Sequence, residues 1–266
     1  MPIMIMRTKN RLPLRRILIT GATGAMGSAL AEAYAQKGLM LYLTGRNVKK
    51  IKAVADRCRL LGAAVDVRCF DLRDEPALRA WIGEITEQGP VDLAILAAGI
   101  NRNIGPDHQG ESWTHTQALM DLNLTATMVA IDSLIPAMRG KGCGQIAIFS
   151  SLAGYFGLAL TPSYCASKAA LKAYGEALRG WLAPEGIKIN VIMPGYVKSH
   201  MCDHMPGPKP FLQTPRHAAE IIRKGLSKNK PRITFPFPLN LGTWFLAVLP
   251  AVLSHRILRW LGYAGD

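Results

Sequence analysis

Tyr164 and Lys168 stand four residues apart in Tyr164-Cys165-Ala166-Ser167-Lys168, inside a segment with helical patterning. That spacing turns both side chains to one helix face. A free phenol with a pKa near ~10 exchanges protons poorly at neutral pH, and bringing it to neutrality takes roughly 4 kcal/mol of preferential stabilisation of the phenolate. A nearby ammonium works in that direction, as would a positively charged ring next to the phenol. Ser151 lies thirteen residues before Tyr164, at the end of the apolar run 145–150. Its hydroxyl is placed to hold an oxygen beside the phenol. The chemistry implied is proton exchange with a carbonyl or carbinol oxygen.

A second group of residues could hold a phosphorylated cofactor. The apolar run 17–20 leads directly into Gly21-Ala22-Thr23-Gly24-Ala25-Met26-Gly27, followed by an Ala-rich helical pattern. Glycines at a strand-to-helix turn let backbone approach a pyrophosphate, and the helix start offers unpaired N–H groups to it. The run 39–44 ends in Gly45-Arg46, with no Asp or Glu where an NAD-type site accepts from the ribose 2′-hydroxyl. Arg46 as a bare surface group would be an arginine at a helix start. The missing acid favours a 2′-phosphate partner, and hence NADPH.

The elements that must position these groups alternate. Short β-type runs occur at 17–20, 39–44, 64–70, 92–98, 145–150 and 187–193, with helical patterns at 25–37, 47–61, 74–88, 112–138 and 164–183. The runs lack strict alternation, the pattern of strands covered on both faces. Together they predict an α/β chain: a Rossmann-type doubly wound parallel sheet in three layers and one domain. The expected organisation is a flexible basic arm over 1–15, a catalytic domain over 16–235 with a mobile substrate loop at 198–215, and an apolar extension over 236–266. A helix at 215–227 and a last strand at 232–235 complete the domain.

In chain order these features resemble the short-chain dehydrogenase/reductase family, over residues 16 to about 228. The glycine turn resembles the family's TGxxxGxG fingerprint, with Ala25 where the middle glycine is usual. Ala97-Ala98-Gly99 stands where the family shows Asn-Ala-Gly, so strand tethering there must differ. The resemblance implies that Ser151, Tyr164, Lys168 and Asn123 form the catalytic set, with Asn123 anchoring a water that relays protons to Lys168. It also implies cofactor contacts from Gly21, Thr23, Gly24, Ala25, Met26, Gly27, Arg46, Asp71, Leu72, Ala98, Gly99, Tyr164, Lys168, Pro194, Gly195 and Val197. Asp71 would meet adenine, although alone it reads equally as a helix cap. Reduction by hydride transfer from NADPH, with Tyr164 protonating the oxygen, is the implied reaction. A homodimer or homotetramer built on 112–138 and 164–183 is the implied assembly.

The chain carries +14 over 266 residues, which suits phosphorylated cofactors or anionic membranes as well as a plain solvated surface. No zinc-finger spacing or basic coiled coil points to nucleic acid. Cys58, Cys69, Cys143, Cys165 and Cys202 lack metal-ligand spacing and read as buried free thiols, making the cytoplasm the expected compartment. Residues 233–254 contain no charged side chain. Three readings of this tail stand: an arm packed over the pocket or a neighbouring subunit, peripheral contact with the inner face of a membrane, or a true span, against which Pro236, Pro238 and Pro250 argue. The expected substrate is a hydrophobic or lipid-linked carbonyl or alcohol. A reductase or epimerase of a sugar-linked intermediate in surface-polysaccharide assembly, or a non-catalytic NADPH-binding sensor or scaffold, is the alternative.

Overall fold

Side chains that alternate along the first strand enter two different cores. Ile17 and Ile19 pack with Leu30, Ile51, Val54 and Ile222 on one side of the sheet, while Leu18 packs with Leu78, Ile82, Leu134 and Leu178 on the other. Both faces of the strand are therefore buried, as its unbroken apolar run requires. The computed structural model describes residues 14–104, 110–205 and 207–263; most of the expected N-terminal arm lies outside them.

Seven strands form one parallel sheet in the order β3-β2-β1-β4-β5-β6-β7. They are β1 Arg16–Thr20, β2 Met40–Thr44, β3 Ala64–Arg68, β4 Leu93–Leu96, β5 Gly144–Phe149, β6 Ile187–Pro194 and β7 Arg232–Phe235. Helices α1 Ala25–Tyr34, α2 Val48–Leu60 and α8 Pro215–Ser227 cover one face. Helices α3 Glu75–Glu87, α5 Ala126–Lys141 and α6 Pro162–Leu182 cover the other. This is the expected single-domain, three-layer Rossmann-type fold. The strand order reverses direction between β1 and β4, so their C-terminal ends open a crevice.

The helical pattern at 112–138 is not one helix. α4 Trp113–Met120 runs into a π-helical turn at Asp121–Thr125 before α5 begins. By length and composition the run Trp113–Lys141 would suffice to cross a membrane, yet Val129, Ala130, Leu134 and Met138 are buried against the sheet and α3. It is a core helix.

The chain after β7 forms two ten-residue helices, α9 Leu239–Val248 and α10 Ala251–Trp260, joined at Leu249-Pro250. The buried Ser254 hydroxyl donates to Leu246 O at 2.8 Å and ties them together. At ~1.5 Å per residue each is about 15 Å long, half a bilayer core. The reading of the tail as a single span is therefore corrected. Residues 198–215 contain a short helix, α7 His200–Asp203. The buried-thiol expectation holds for Cys58, Cys165 and Cys202, whereas Cys69 is exposed and Cys143 half-buried. Their segments end at strand boundaries, where side chains leave the covered sheet.

Candidate active site

At the crevice the glycine turn is dictated by close approach. Gly21 has φ +67°, and a Cβ there would lie 2.7 Å from Ala98 Cα; at Gly27 it would lie 2.3 Å from Gly21 O. Gly24 is under less pressure, its added Cβ reaching only Gly21 O at 3.3 Å. Gly24 N donates to Gly21 O at 2.9 Å and closes the turn. Ala25 is then the first residue of α1, where a methyl group fits an ordinary helical backbone. No side chain caps α1 and no acid sits in its first turn, leaving its N–H groups for an anion. With Ala97 in place of the family's asparagine, β4 is fastened to β1 by Ala98 N donating to Thr20 Oγ1 at 3.4 Å.

Arg46 follows β2 with its side chain 58% exposed, 3.8 Å from the Asp71 carboxylate. Asp71 itself sits in the fork of Arg73, at 3.1 Å from Nε and 2.7 Å from Nη2. That hydrogen bond holds its carboxyl below the usual carboxylate range, with Arg46 adding a smaller pull. The cavity wall here is Phe70 and Leu72, so the carboxylate faces two arginines instead of lining the cavity. Arg73 was missed in the sequence; its only signal was a basic residue two positions after an acid at a strand end.

Ser151 lies just past β5 in extended conformation. It accepts from Ala153 N at 3.1 Å and makes a long bond to Pro194 O at 3.4 Å. Tyr164 hydrogen-bonds to Ser151. Lys168 donates from Nζ to Phe149 O at 2.9 Å, with its own carbonyl held by the Ser150 hydroxyl at 2.7 Å. The ammonium lies 5.5 Å from the Tyr164 ring centre. Burial pushes the phenol up to about 12, against the smaller pull of Ser151, and pulls the ammonium from 10.5 down to about 8. Without a ligand the site therefore keeps Tyr164 protonated, as a donor. The lowering expected from Lys168 does not figure among the causes of this shift, which desolvation dominates.

Asn123 is wholly buried in the π-helical turn. Its Oδ1 accepts from Ile100 N at 2.8 Å, and its Nδ2 donates to Ile100 O at 2.9 Å and to Ser167 Oγ at 3.2 Å. Thr127 Oγ1 donates to the Asn123 carbonyl at 2.8 Å. The amide thus ties the loop after β4 to α6. It does not line the cavity.

That cavity holds about 960 Å³, at the upper end of the ~300–1,000 Å³ of small-ligand sites. Gly21, Thr23, Gly24, Ala25, Met26, Gly27 and Arg46 form one end. Ala98, Gly99, Ser151, Tyr164, Lys168, Pro194, Gly195 and Val197 form the middle. Of the expected site residues only Asn123 and Asp71 stand off its surface. The far end is built by Tyr196, by Met201 and Phe211 of the expected substrate loop, and by Leu246, Leu258 and Tyr263 of the apolar extension, which here packs over the pocket. Tyr263 donates to Pro208 O at 2.8 Å and accepts from Tyr196, so the segment after α10 is fastened to the substrate loop. Among the described residues no His, Cys, Asp or Glu group is arranged to hold a metal.

Residues 15–207 match the short chain dehydrogenase family, and the chain belongs to it. An uncharacterized oxidoreductase of Myxococcus xanthus is 30% identical over 248 residues, 93% of this chain and 97% of that protein. The ketoacyl reductase HetN of Nostoc is 28% identical over 258 residues, 93% and 89% of the two chains. A short-chain dehydrogenase of Sphingobium yanoikuyae, solved in complex with NADPH, superposes with a TM-score of 0.78 at 24% identity, covering 85% of this chain and 89% of that one.

Proposed function

We propose that the chain is an NADPH-dependent reductase of a hydrophobic or lipid-linked carbonyl. The observation that carries this reading is the continuity of one cavity. It runs from the glycine turn, past Ser151, Tyr164 and Lys168, to an apolar end. The cofactor fits the residues present: a Cβ at Gly21 or Gly27 would fill the cradle, and Arg46 offers a guanidinium to a 2′-phosphate. HetN, by its name a ketoacyl reductase, and the NADPH complex of the Sphingobium enzyme support the same reading.

When bound, the nicotinamide supplies a hydride to the carbonyl carbon. Ser151 and Tyr164 donate hydrogen bonds to the carbonyl oxygen, and Tyr164 gives its proton as negative charge develops there. Lys168 holds an ammonium near the phenolate that remains, until solvent returns a proton. Burial favours the neutral phenol, which suits reduction. Asn123 acts as a positioning residue, keeping the loop at Gly99 and Ile100 against α6. The apolar far end speaks against a sugar-linked substrate.

NADPH and NADH consumption against short and long-chain ketones, aldehydes and 3-keto lipids tests the reading. Turnover with NADPH should fall about 10²- to 10⁴-fold in Tyr164→Phe, with nucleotide binding retained. Failure to bind either nucleotide, or turnover indifferent to Tyr164→Phe, would sink it.

A further inference from the structure

We propose that the outer face of the α9–α10 hairpin docks on the surface of an anionic lipid bilayer, with the mouth of the active-site cavity turned toward the acyl chains. This goes beyond the reductase reading, and only its consequence for substrate entry rests on that reading.

The hairpin is apolar on two opposite sides. Its inner side, with Leu239, Leu246 and Leu258, lines the cavity. Its outer side exposes Leu241, Trp244, Phe245 and Val248, which fall at i, i+3, i+4 and i+7 on α9. Phe237 before α9 is 77% exposed, and Val252 and Trp260 on α10 are 64% and 85% exposed. A surface helix of a water-soluble domain keeps a polar outer face, and contiguous apolar patches of this kind mark interaction sites. Phe211, Phe245 and Leu261 both line the cavity and stand exposed, so the patch and the mouth are continuous.

Charge selects the occupant. From Phe237 through α10 the chain carries Arg256 and Arg259 and no Asp or Glu. A second copy seated on the same face would bring like charge against like and block both mouths. An anionic bilayer complements the charge, and it takes up Trp and Leu side chains flanked by arginine. Two ten-residue helices joined by Leu249-Pro250 cannot span it and would lie in its interface.

The test is flotation of the full chain with phosphatidylcholine vesicles, with and without phosphatidylglycerol. The protein should float with the anionic vesicles, less with neutral ones, and less as salt rises. Leu241→Glu/Trp244→Glu/Val248→Glu, at positions outside the cavity wall, should lower bound protein at least about tenfold. It should leave the circular dichroism spectrum and NADPH binding unchanged. Leu60→Glu, at the exposed end of α2 on the opposite sheet edge, should float as the parent does. Quenching by bromolipid should fall in Trp244→Phe and disappear in Trp244→Phe/Trp260→Phe. Absence of flotation, or flotation unaffected by the triple substitution, overturns the proposal. So does a triple variant whose only change is a dimer becoming a monomer, which would assign the face to a second copy. Flotation needs no turnover, so the reductase reading can fail without touching this result.

Discussion

Replacing Lys168 by methionine should change how stability responds to pH in a way that few other substitutions would. Burial lowers the Lys168 ammonium from 10.5 to about 8. The folded state therefore binds fewer protons than the unfolded chain between those values. At pH 7 charging the buried amine costs about 3 kcal/mol of stability, and by pH 10 only about 1 kcal/mol remains. Tyr164 moves the other way, from 10.0 to about 12. Its contribution is fully present below pH 10 and lost only above it, so it stays out of this window. The lost bond from Nζ to Phe149 O sets the offset between parent and variant, not the slope of their difference. Urea unfolding of both ligand-free proteins at pH 7 and pH 10 should show the parent gaining about 2.5 kcal/mol relative to Lys168→Met. In melting temperature this is roughly 5–8 °C. The variant should also lose turnover. Parallel curves for the two proteins across pH 7–10 would refute the reasoning, since Lys168 would then carry no burial penalty.

Arg46→Ala should raise the NADPH dissociation constant about 5- to 30-fold while leaving NADH nearly unchanged. The loss is that of a charge-assisted bond of ~1.5–3 kcal/mol, reduced by solvent screening at an exposed side chain; titration by NADPH fluorescence checks it, and an equal loss for both nucleotides would argue against the 2′-phosphate role. Gly27→Ala drives a Cβ to 2.3 Å from Gly21 O and should weaken both nucleotides more than about a hundredfold, since opening the turn removes the N–H cradle. Unaltered binding would mean that the turn relaxes without cost.

The layered sheet was legible because its inner strands are buried on both faces and each helix on one, so the apolar runs and helical periodicities map directly onto the elements. Tyr164, Lys168 and Ser151 could be placed because one helix turn and one strand end determine their directions. The strand ends were overextended, to 70 and 98 where pairing stops at Arg68 and Leu96. Phe70, Ala97 and Ala98 are apolar because they line the cavity, a burial that looks like sheet in a sequence. The break at Asp121–Thr125 was invisible, since Leu119, Leu122 and Val129 keep an apolar rhythm across it. At the far end of the cavity the loop 198–215 and the tail were legible as segments, but their mutual contacts were not, for a different reason. Tyr196, Pro208 and Tyr263 meet through the path of the chain, and no local pattern encodes that meeting.

The π-helical turn gives residue count an importance there that residue kind does not have. A π turn holds one residue more than the α-helical turn it replaces. Removing one residue from 121–125 would restore a regular helix and leave α4 and α5 on their present faces, because the wide turn absorbs the extra residue. If the cut fell after Asn123, its amide would leave Ile100 and Ser167, and the floor beneath Gly99 would lose its fastening. Substitutions in this stretch shift single contacts, whereas a one-codon deletion would remove the widening that aims the Asn123 amide at Ile100 and Ser167.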